Sequence, residues 1–275
     1  MERLTTVDST VVISSTSARQ RSSPGRALAL LDAFAGPRTI LGVSELAAVA
    51  GIPKSTAHRL LATLVAHHYV KRVGDRYCLS EHTFEMGNLL WACRPGGLRE
   101  RAIPFMIELS HETHETVHLA ILDNDSILYL EKLFEHRATP CPTSVGSRRP
   151  AHCTALGKAI LAHSAEATTT SLLSAGLRRF TAHTRVTPEA LGRDLERAQD
   201  EGVAMESEEY RTGLVCAAAP ILDRDTGIAI GALSISASPG RFNLRRFASR
   251  LRRASESLNK MPSLSDRRYL GESGS

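Results

Sequence analysis

Residues 46 to 80 read LAAVAGIPKSTAHRLLATLVAHHYVKRVGDRYCLS, and the stretch changes periodicity twice. Helical spacing runs to Ala50, breaks at Gly51-Ile52-Pro53, resumes, and gives way to two alternating runs around Gly74-Asp75. Ala57, Leu60, Leu61, Leu64 and Val65 recur at helical spacing, so the helix after the break carries one apolar stripe. Few arrangements satisfy a short helix, a glycine turn, a second helix and an immediate basic hairpin. A winged helix-turn-helix is the economical one.

The flanking sequence extends that unit. Ser23-Pro24 predicts the start of a first helix, with Ala27, Leu28, Leu30, Leu31 and Phe34 on its apolar face and Gly36-Pro37 ending it. Ser44 is the expected cap of the short helix Glu45 to Ala50, with Glu45 near its positive end; Gly51 closes it and Pro53 opens the next. The polar face of the recognition helix offers Ser55, Thr56, His58 and Arg59 beside small Ala62 and Ala66, which let it approach a groove. Lys54 stands where helix amides already favour phosphate. The wing adds Lys71, Arg72 and Arg76. These residues, with Ser44, are the candidate DNA contacts. A merely solvated face would share the periodicity. The adjoining hairpin argues for DNA, as does the excess of Arg26, Arg38, Lys54, Arg59, Lys71, Arg72 and Arg76 over Asp32, Glu45 and Asp75.

At 275 residues, 42% hydrophobic and 23% charged, the chain suits a globular protein of one large domain or two ordinary ones. A net charge of +5 permits a polyanion partner without requiring one. Five cysteines (Cys78, Cys93, Cys141, Cys153 and Cys216) show no CxxC, which speaks against a disulfide framework or structural zinc and fits a reducing cytoplasm. Val11-Val12-Ile13 is too short for a signal-peptide core, and no run approaches a membrane span. A cytoplasmic protein without a membrane association is therefore expected. The organisation read here is a disordered arm at 1–22, the winged unit at 23–80, a linker helix at 81–98 interrupted by Pro95-Gly96-Gly97, a second unit at 99–260, and a flexible tail at 261–275.

The second unit mixes strands and helices. Val117 to Leu122 and Ile127 to Lys132 predict a hairpin; Leu214 to Leu222 and Ile228 to Ser236 predict two more strands. Thr154, Thr187 and Asn243 are expected helix caps, and the last helix should turn Leu244, Phe247, Ala248, Leu251 and Leu258 inward. The whole reads as α+β, with a central antiparallel sheet. Catalytic chemistry is thin. Cys153 or Cys216 with His152 as base is a nucleophile reading, and small buried cysteines are the simpler one. His111, His114 and His118 in HETHETVH invite a metal, but the motif is not HExxH and a helix-to-strand transition scatters such side chains; no metal, cofactor or catalytic residue is assigned. A binding pocket fits better. The Thr154 helix start, the Gly146 to Pro150 loop with Arg148 and Arg149, and the alternating Ser234 and Ser236 suit a small carboxylate or polyol, unless the two serines face solvent.

With RALALLDAF, SELAAVAGIPKSTAHRLLATL, HCTALGKAILA, EEYRTGLVCAAAPI and GALSIS in order over nearly its whole length, the chain resembles the IclR (isocitrate lyase regulator) family of bacterial transcription factors. The resemblance implies a GAF-like effector domain behind the winged helix. It places effector contacts on Ala155, Leu156, Glu206, Cys216, Ser234 and Ser236. Two departures matter. Relatives that bind small 2-oxo acids have small residues where this chain has Leu156, and Glu206 disfavours a highly anionic ligand unless it is protonated or accepts from a hydroxyl. The expected function is ligand-responsive transcriptional regulation, more as repressor than activator, by a homodimer or tetramer on a pseudo-palindromic operator. The effector is expected to be a small carboxylate, polyol or aromatic metabolite. The rivals are a small-molecule enzyme and a ligand-sensing interaction module with a vestigial helix-turn-helix.

Overall fold

The computed structural model describes residues 22–36 and 38–262, in two compact units that divide between Leu90 and Trp91. Residues 1–21 of the expected arm (1–22), Pro37 and residues 263–275 of the expected tail (261–275) lie outside the described residues.

In the first unit α1 (Ser23–Asp32) is followed by a single 3₁₀ turn, β1 (Leu41–Gly42), α2 (Val43–Ala50), α3 (Lys54–Ala66), β2 (Val70–Val73), β3 (Arg76–Leu79) and α4 (Glu81–Asn88). The strands form an antiparallel sheet ordered β1-β3-β2, so the wing has a third strand that the sequence did not advertise. Gly51 ends α2 in the left-handed region at φ 65°, the tight turn on which the motif depends. Leu30, Leu46, Ala57 and Leu61 are wholly buried in the core shared by the first three helices.

Several local expectations change. Ser22, not Ser23, caps α1, its side chain accepting from the Gly25 amide at 3.2 Å. Leu28 is exposed, because only Leu30 of α1 lies fully on the core line. Ser44 does not cap α2: the helix begins a residue earlier, and the Glu45 carboxylate takes the Gly42 amide at 2.8 Å instead. The single helix expected over 81–98 is broken. Helix α4 stops at Asn88, Gly96 turns at φ 70°, and α5 starts only at Leu98.

The second unit continues with α5 (Leu98–Thr113), β4 (Thr116–Asp123), β5 (Ser126–Leu133), β6 (Arg148–Pro150), α6 (Ala155–Leu161), α7 (Glu166–Ser174), α8 (Pro188–Glu201), β7 (Ala204–Ser207), β8 (Val215–Leu222), β9 (Ala229–Ala237) and α9 (Leu244–Asn259). The sheet is wholly antiparallel, ordered β6-β5-β4-β9-β8-β7. The expected caps are present: Thr154, Thr187 and Asn243 each accept an amide from the first turn.

Strand alternation gives the sheet two different faces. Leu233, Ile235 and Ala237 of β9 join Val117, Leu119, Ala217 and Ala219 against α5 and α9. Phe247 and Leu251 of α9 are fully buried there, at about 1.5–3 kcal/mol for each such side chain removed from water. Leu244, expected inward, stays exposed at the first turn of α9, before that face closes on the sheet. The opposite face, carrying Ala204, Ala218 and Ala232, packs under α6 and α8. Small side chains let α6 lie close. Gly157 is required at the closest approach, since a Cβ there would fall against the backbone of Ala151.

Candidate functional site

On α3 the residues Lys54, Ser55, His58, Arg59, Ala62 and Ala66 are all exposed, while Ala57, Leu60, Leu61 and Leu64 are buried opposite them. Thr56 is half-buried at the edge of that face, and Ser44 is exposed in the first turn of α2. Lys54 and Arg59 form no ion pair with any described residue, which leaves both cations available to a polyanion. The wing cations are engaged. Lys71 pairs with Glu81 of α4, and Arg72 Nε donates to the Gly74 carbonyl at 2.8 Å.

Arg76 has a different role from its neighbours. Its guanidinium reaches Glu45 at 2.5 Å, and Arg38 reaches the other oxygen at 2.6 Å. With the Gly42 amide these partners hold the Glu45 carboxyl below the usual carboxylate range, the amide bond contributing most. Glu45 therefore ties the wing to α2. An acid placed for a helix dipole gave no signal of that long-range link.

The second unit holds a cavity of about 450 Å³, counting the part open to solvent. All six residues assigned to an effector by resemblance line it. Ala155 and Leu156 enter from the start of α6. Glu206, Cys216 and Ser236 stand side by side on β7, β8 and β9, which their register pairs directly. The Cys216 thiol donates to Ser236 Oγ at 3.1 Å, and Ser234 points the same way two residues along. At 1% and 2% exposure Ser234 and Ser236 do not face solvent.

Other lining residues come from segments whose role the sequence did not disclose. Tyr129 stands on β5; Cys141, Pro142 and Thr143 come from the β5–β6 connection; Tyr210, Arg211 and Leu214 come from the β7–β8 connection. The first connection is pinned from the sheet. Lys132 Nζ donates to the carbonyls of Cys141 and Thr143 at 2.7 and 2.9 Å, and His118 Nε2 meets Thr143 Oγ1 at 2.7 Å. Burial, helped by the Lys132 charge, pushes His118 down to about 3, so its ring is neutral.

The second connection is anchored through Glu209. Its carboxylate meets the wholly buried Lys158 of α6 at 2.5 Å, and Lys158 meets Asp194 of α8 at 2.7 Å. The Glu209 amide donates to Glu206 Oε2 at 2.9 Å. Burial raises the Glu206 carboxyl to about 7, against that amide, which lowers it. Near neutral pH the site thus offers a carboxyl that both donates and accepts.

One reading is corrected, and two alternatives set aside from the sequence gain no support. Arg148 pairs with Asp123 at 2.5 Å, and Arg149 donates to the Pro142 and Arg148 carbonyls; neither guanidinium lines the cavity. His152 Nε2 meets the Arg178 carbonyl at 2.9 Å rather than the Cys153 thiol, which burial pushes far up, so no nucleophile–base pair forms. His111 and His114 lie at the exposed end of α5 while His118 is buried on β4, and the described residues hold no metal-forming group of three or more His, Cys, Asp or Glu.

Comparison with known proteins agrees with both halves. Residues 23–74 match the IclR helix-turn-helix domain, and residues 94–260 match the bacterial transcriptional regulator IclR C-terminal domain. The chain is 33% identical over 241 residues to the HTH-type transcriptional regulator XynR of Escherichia coli K12, covering 86% of this chain and 94% of that protein. It is 32% identical over 209 residues to the transcriptional repressor IclR of the same organism, covering 74% and 76%. Among solved structures, an IclR homologue from Microbacterium hydrocarbonoxydans in complex with 4-hydroxybenzoate superposes with a TM-score of 0.78 at 28% identity, over 86% of this chain and 98% of that one.

Proposed function

Because the chain belongs to the IclR family of bacterial transcriptional regulators, we propose that it is a repressor that binds a pseudo-palindromic operator as a homodimer and answers to a small metabolite. It is a DNA-binding regulator with an effector domain and not an enzyme, as its relatives are. The observation that carries the fuller reading is the pairing, in one chain, of an exposed helix face whose Lys54 and Arg59 form no ion pair with the described residues and a partly open pocket lined by all six residues assigned by resemblance.

One chain supplies one recognition helix, and specific binding at ordinary salt generally needs two half-sites. Helix α4 buries none of its residues, and it leaves Phe84 and the following Leu89 about 70% exposed, apolar surface that a second copy would cover. A dimer, alone or paired into a tetramer, follows. The contacts to DNA are Ser44 at the start of α2, Lys54, Ser55, Thr56, His58 and Arg59 of α3, and Lys71, Arg72 and Arg76 of the wing. The effector sits on Ala155, Leu156, Glu206, Cys216, Ser234 and Ser236, with no metal or cofactor needed. A small hydroxylated carboxylate like the 4-hydroxybenzoate of the Microbacterium homologue fits this mix of hydroxyls and apolar walls. Its binding shifts the population between DNA-competent and incompetent states. No helix among the described residues is long and apolar enough to cross a membrane, and a cytoplasmic regulator is the reading adopted.

The test is selection of genomic fragments by the purified protein at near-physiological salt. Enrichment of a pseudo-palindrome upstream of a metabolic operon is expected, and that operon's substrate then nominates the effector. No enrichment overturns the operator reading. Joint replacement Ser234→Ala and Ser236→Ala should abolish the effector response while operator affinity survives; loss of both would make the serines structural.

A further inference from the structure

The pocket has two ionisable ends of opposite sign. Among its lining residues Arg211 is the one cation and Glu206 the one acid, and no ion pair joins them. Glu206 is buried at the floor, in the row with Cys216 and Ser236, whereas Arg211 is exposed and stands at the open side.

Arg211 is not a loosely tethered surface arginine. Two residues before it, Glu209 is locked to buried Lys158, and its carbonyl accepts from Thr181 Oγ1 at 3.1 Å and Thr184 Oγ1 at 2.7 Å. The preceding Tyr210 ring lies 5.2 Å from Phe180 and 5.3 Å from the Arg149 guanidinium. On the other side Gly213, at φ 80°, returns its amide to Glu208 Oε1 at 2.6 Å, closing the turn. The backbone of Arg211 is thus fixed at the mouth. Its guanidinium still has no carboxylate partner among the described residues.

We propose that Arg211 sets the class and orientation of the effector: a hydroxylated monocarboxylate, its carboxylate at the mouth on the Arg211 guanidinium and its hydroxyl inside on Glu206. This rests on the reading of the cavity as the effector site. Guanidinium and carboxylate match in planar, two-pronged geometry, and an arginine with no ion-pair partner among the described residues needs no existing bond broken to supply it. The floor suits a hydroxyl, because Glu206 keeps one oxygen on the Glu209 amide and Ser234, Ser236 and Cys216 stand beside it. A second carboxylate would have to lie against Glu206 with no further cation in the lining to neutralise it, so dicarboxylates are disfavoured against hydroxy acids.

The experiment is calorimetric titration of the full-length protein with matched probes. 4-Hydroxybenzoate, 3-hydroxybutyrate and gluconate are each compared with their primary amide, and 4-hydroxybenzoate also with benzoate and terephthalate. We expect at least one of the three hydroxy acids to bind, its amide to bind about tenfold or more weakly, and Arg211→Gln to lower the acid to the amide's affinity while leaving the amide unchanged. Arg211→Lys should recover part of the loss. An acid bound equally by the wild type and Arg211→Gln overturns the proposal, because its carboxylate then sits elsewhere, such as on the amides of Ala155 and Leu156. Binding of only amides or terephthalate, or of none of the probes, also overturns it. Binding that survives Ser234→Ala with Ser236→Ala would instead refute the pocket as the effector site, so the two failures are distinct.

Discussion

Replacing Glu206 by Gln should stabilise the ligand-free protein above neutral pH and leave it nearly unchanged in mild acid. Burial lifts this carboxyl from the ordinary 4.5 to about 7, so the folded chain holds its proton more tightly than the unfolded chain does. By linkage, the stability due to that proton is complete below about pH 4.5 and is lost as pH rises through about 7. At about 1.4 kcal/mol per pH unit between the two values, the wild type gives up about 3 kcal/mol on that path. Gln keeps the oxygen that accepts the Glu209 amide and has no charge to desolvate, so it escapes the loss. The assay is urea unfolding of both proteins from pH 4.5 to 8, followed by far-ultraviolet circular dichroism. The gap between the two curves should open from near zero to about 3 kcal/mol. A gap of constant size would mean that packing, not ionisation, separates them. A wild type that gains on the variant as pH rises would refute the argument outright.

Arg59→Ala should cost about 1–3 kcal/mol of discrimination between operator and mismatched DNA, and Lys54→Ala should flatten the salt dependence of binding by about one unit, both read by titration over a salt series. Uniform weakening on all sequences would move Arg59 to the phosphate contacts, and an unchanged slope would remove Lys54 from them. Gly157→Ala should disrupt the second unit, since the new methyl meets the Ala151 backbone rather than a flexible side chain; a melting temperature within a degree or two of wild type would refute that. Lys158→Met should cost about 3–5 kcal/mol, chiefly by stranding the buried Glu209 carboxylate, since Asp194 keeps Arg185 and Arg197, and adding Glu209→Gln should recover much of it. Equal urea midpoints for wild type and Lys158→Met would show that the network is not stabilising.

What could be read in advance had local causes. The stripe from Ala57 to Leu64, the Gly51 turn, the β4–β5 hairpin and the Thr154, Thr187 and Asn243 caps depend on neighbours within a few positions, and they appear where the sequence predicts them. The exceptions are instructive. At α2 the helix starts at Val43, one residue too early for Ser44 to cap it, and Glu45, held by two arginines, reaches back to the Gly42 amide instead. Leu28 and Leu244 looked apolar enough to be core, but only packing decides how wide a helix stripe is covered. In the pocket, the motif residues were legible by resemblance. Thr143 and Arg211 were not, since a loop residue announces nothing until the fold brings its loop over a sheet, and Tyr129 on β5 was not, since a strand's alternation does not say which face lines a cavity. Lys158 was the most opaque: a lysine with no exposed surface cannot be inferred without its two distant acids.

Strand β9 lines the cavity with one parity of its residues and the hydrophobic core with the other: Ser234 and Ser236 on one side, Leu233 and Ile235 on the opposite side. Point substitutions at the even-numbered positions can therefore reshape the cavity, and with it the ligand of the proposed effector site, without disturbing what holds the protein together. An insertion or deletion within the strand has no such freedom. Shifting the pairing by one residue would carry serines into the core and leucine and isoleucine into the pocket at once. Lineages built on this sheet are thus free to diversify in ligand by exchanging side chains, while the length of this strand should stay constant among them.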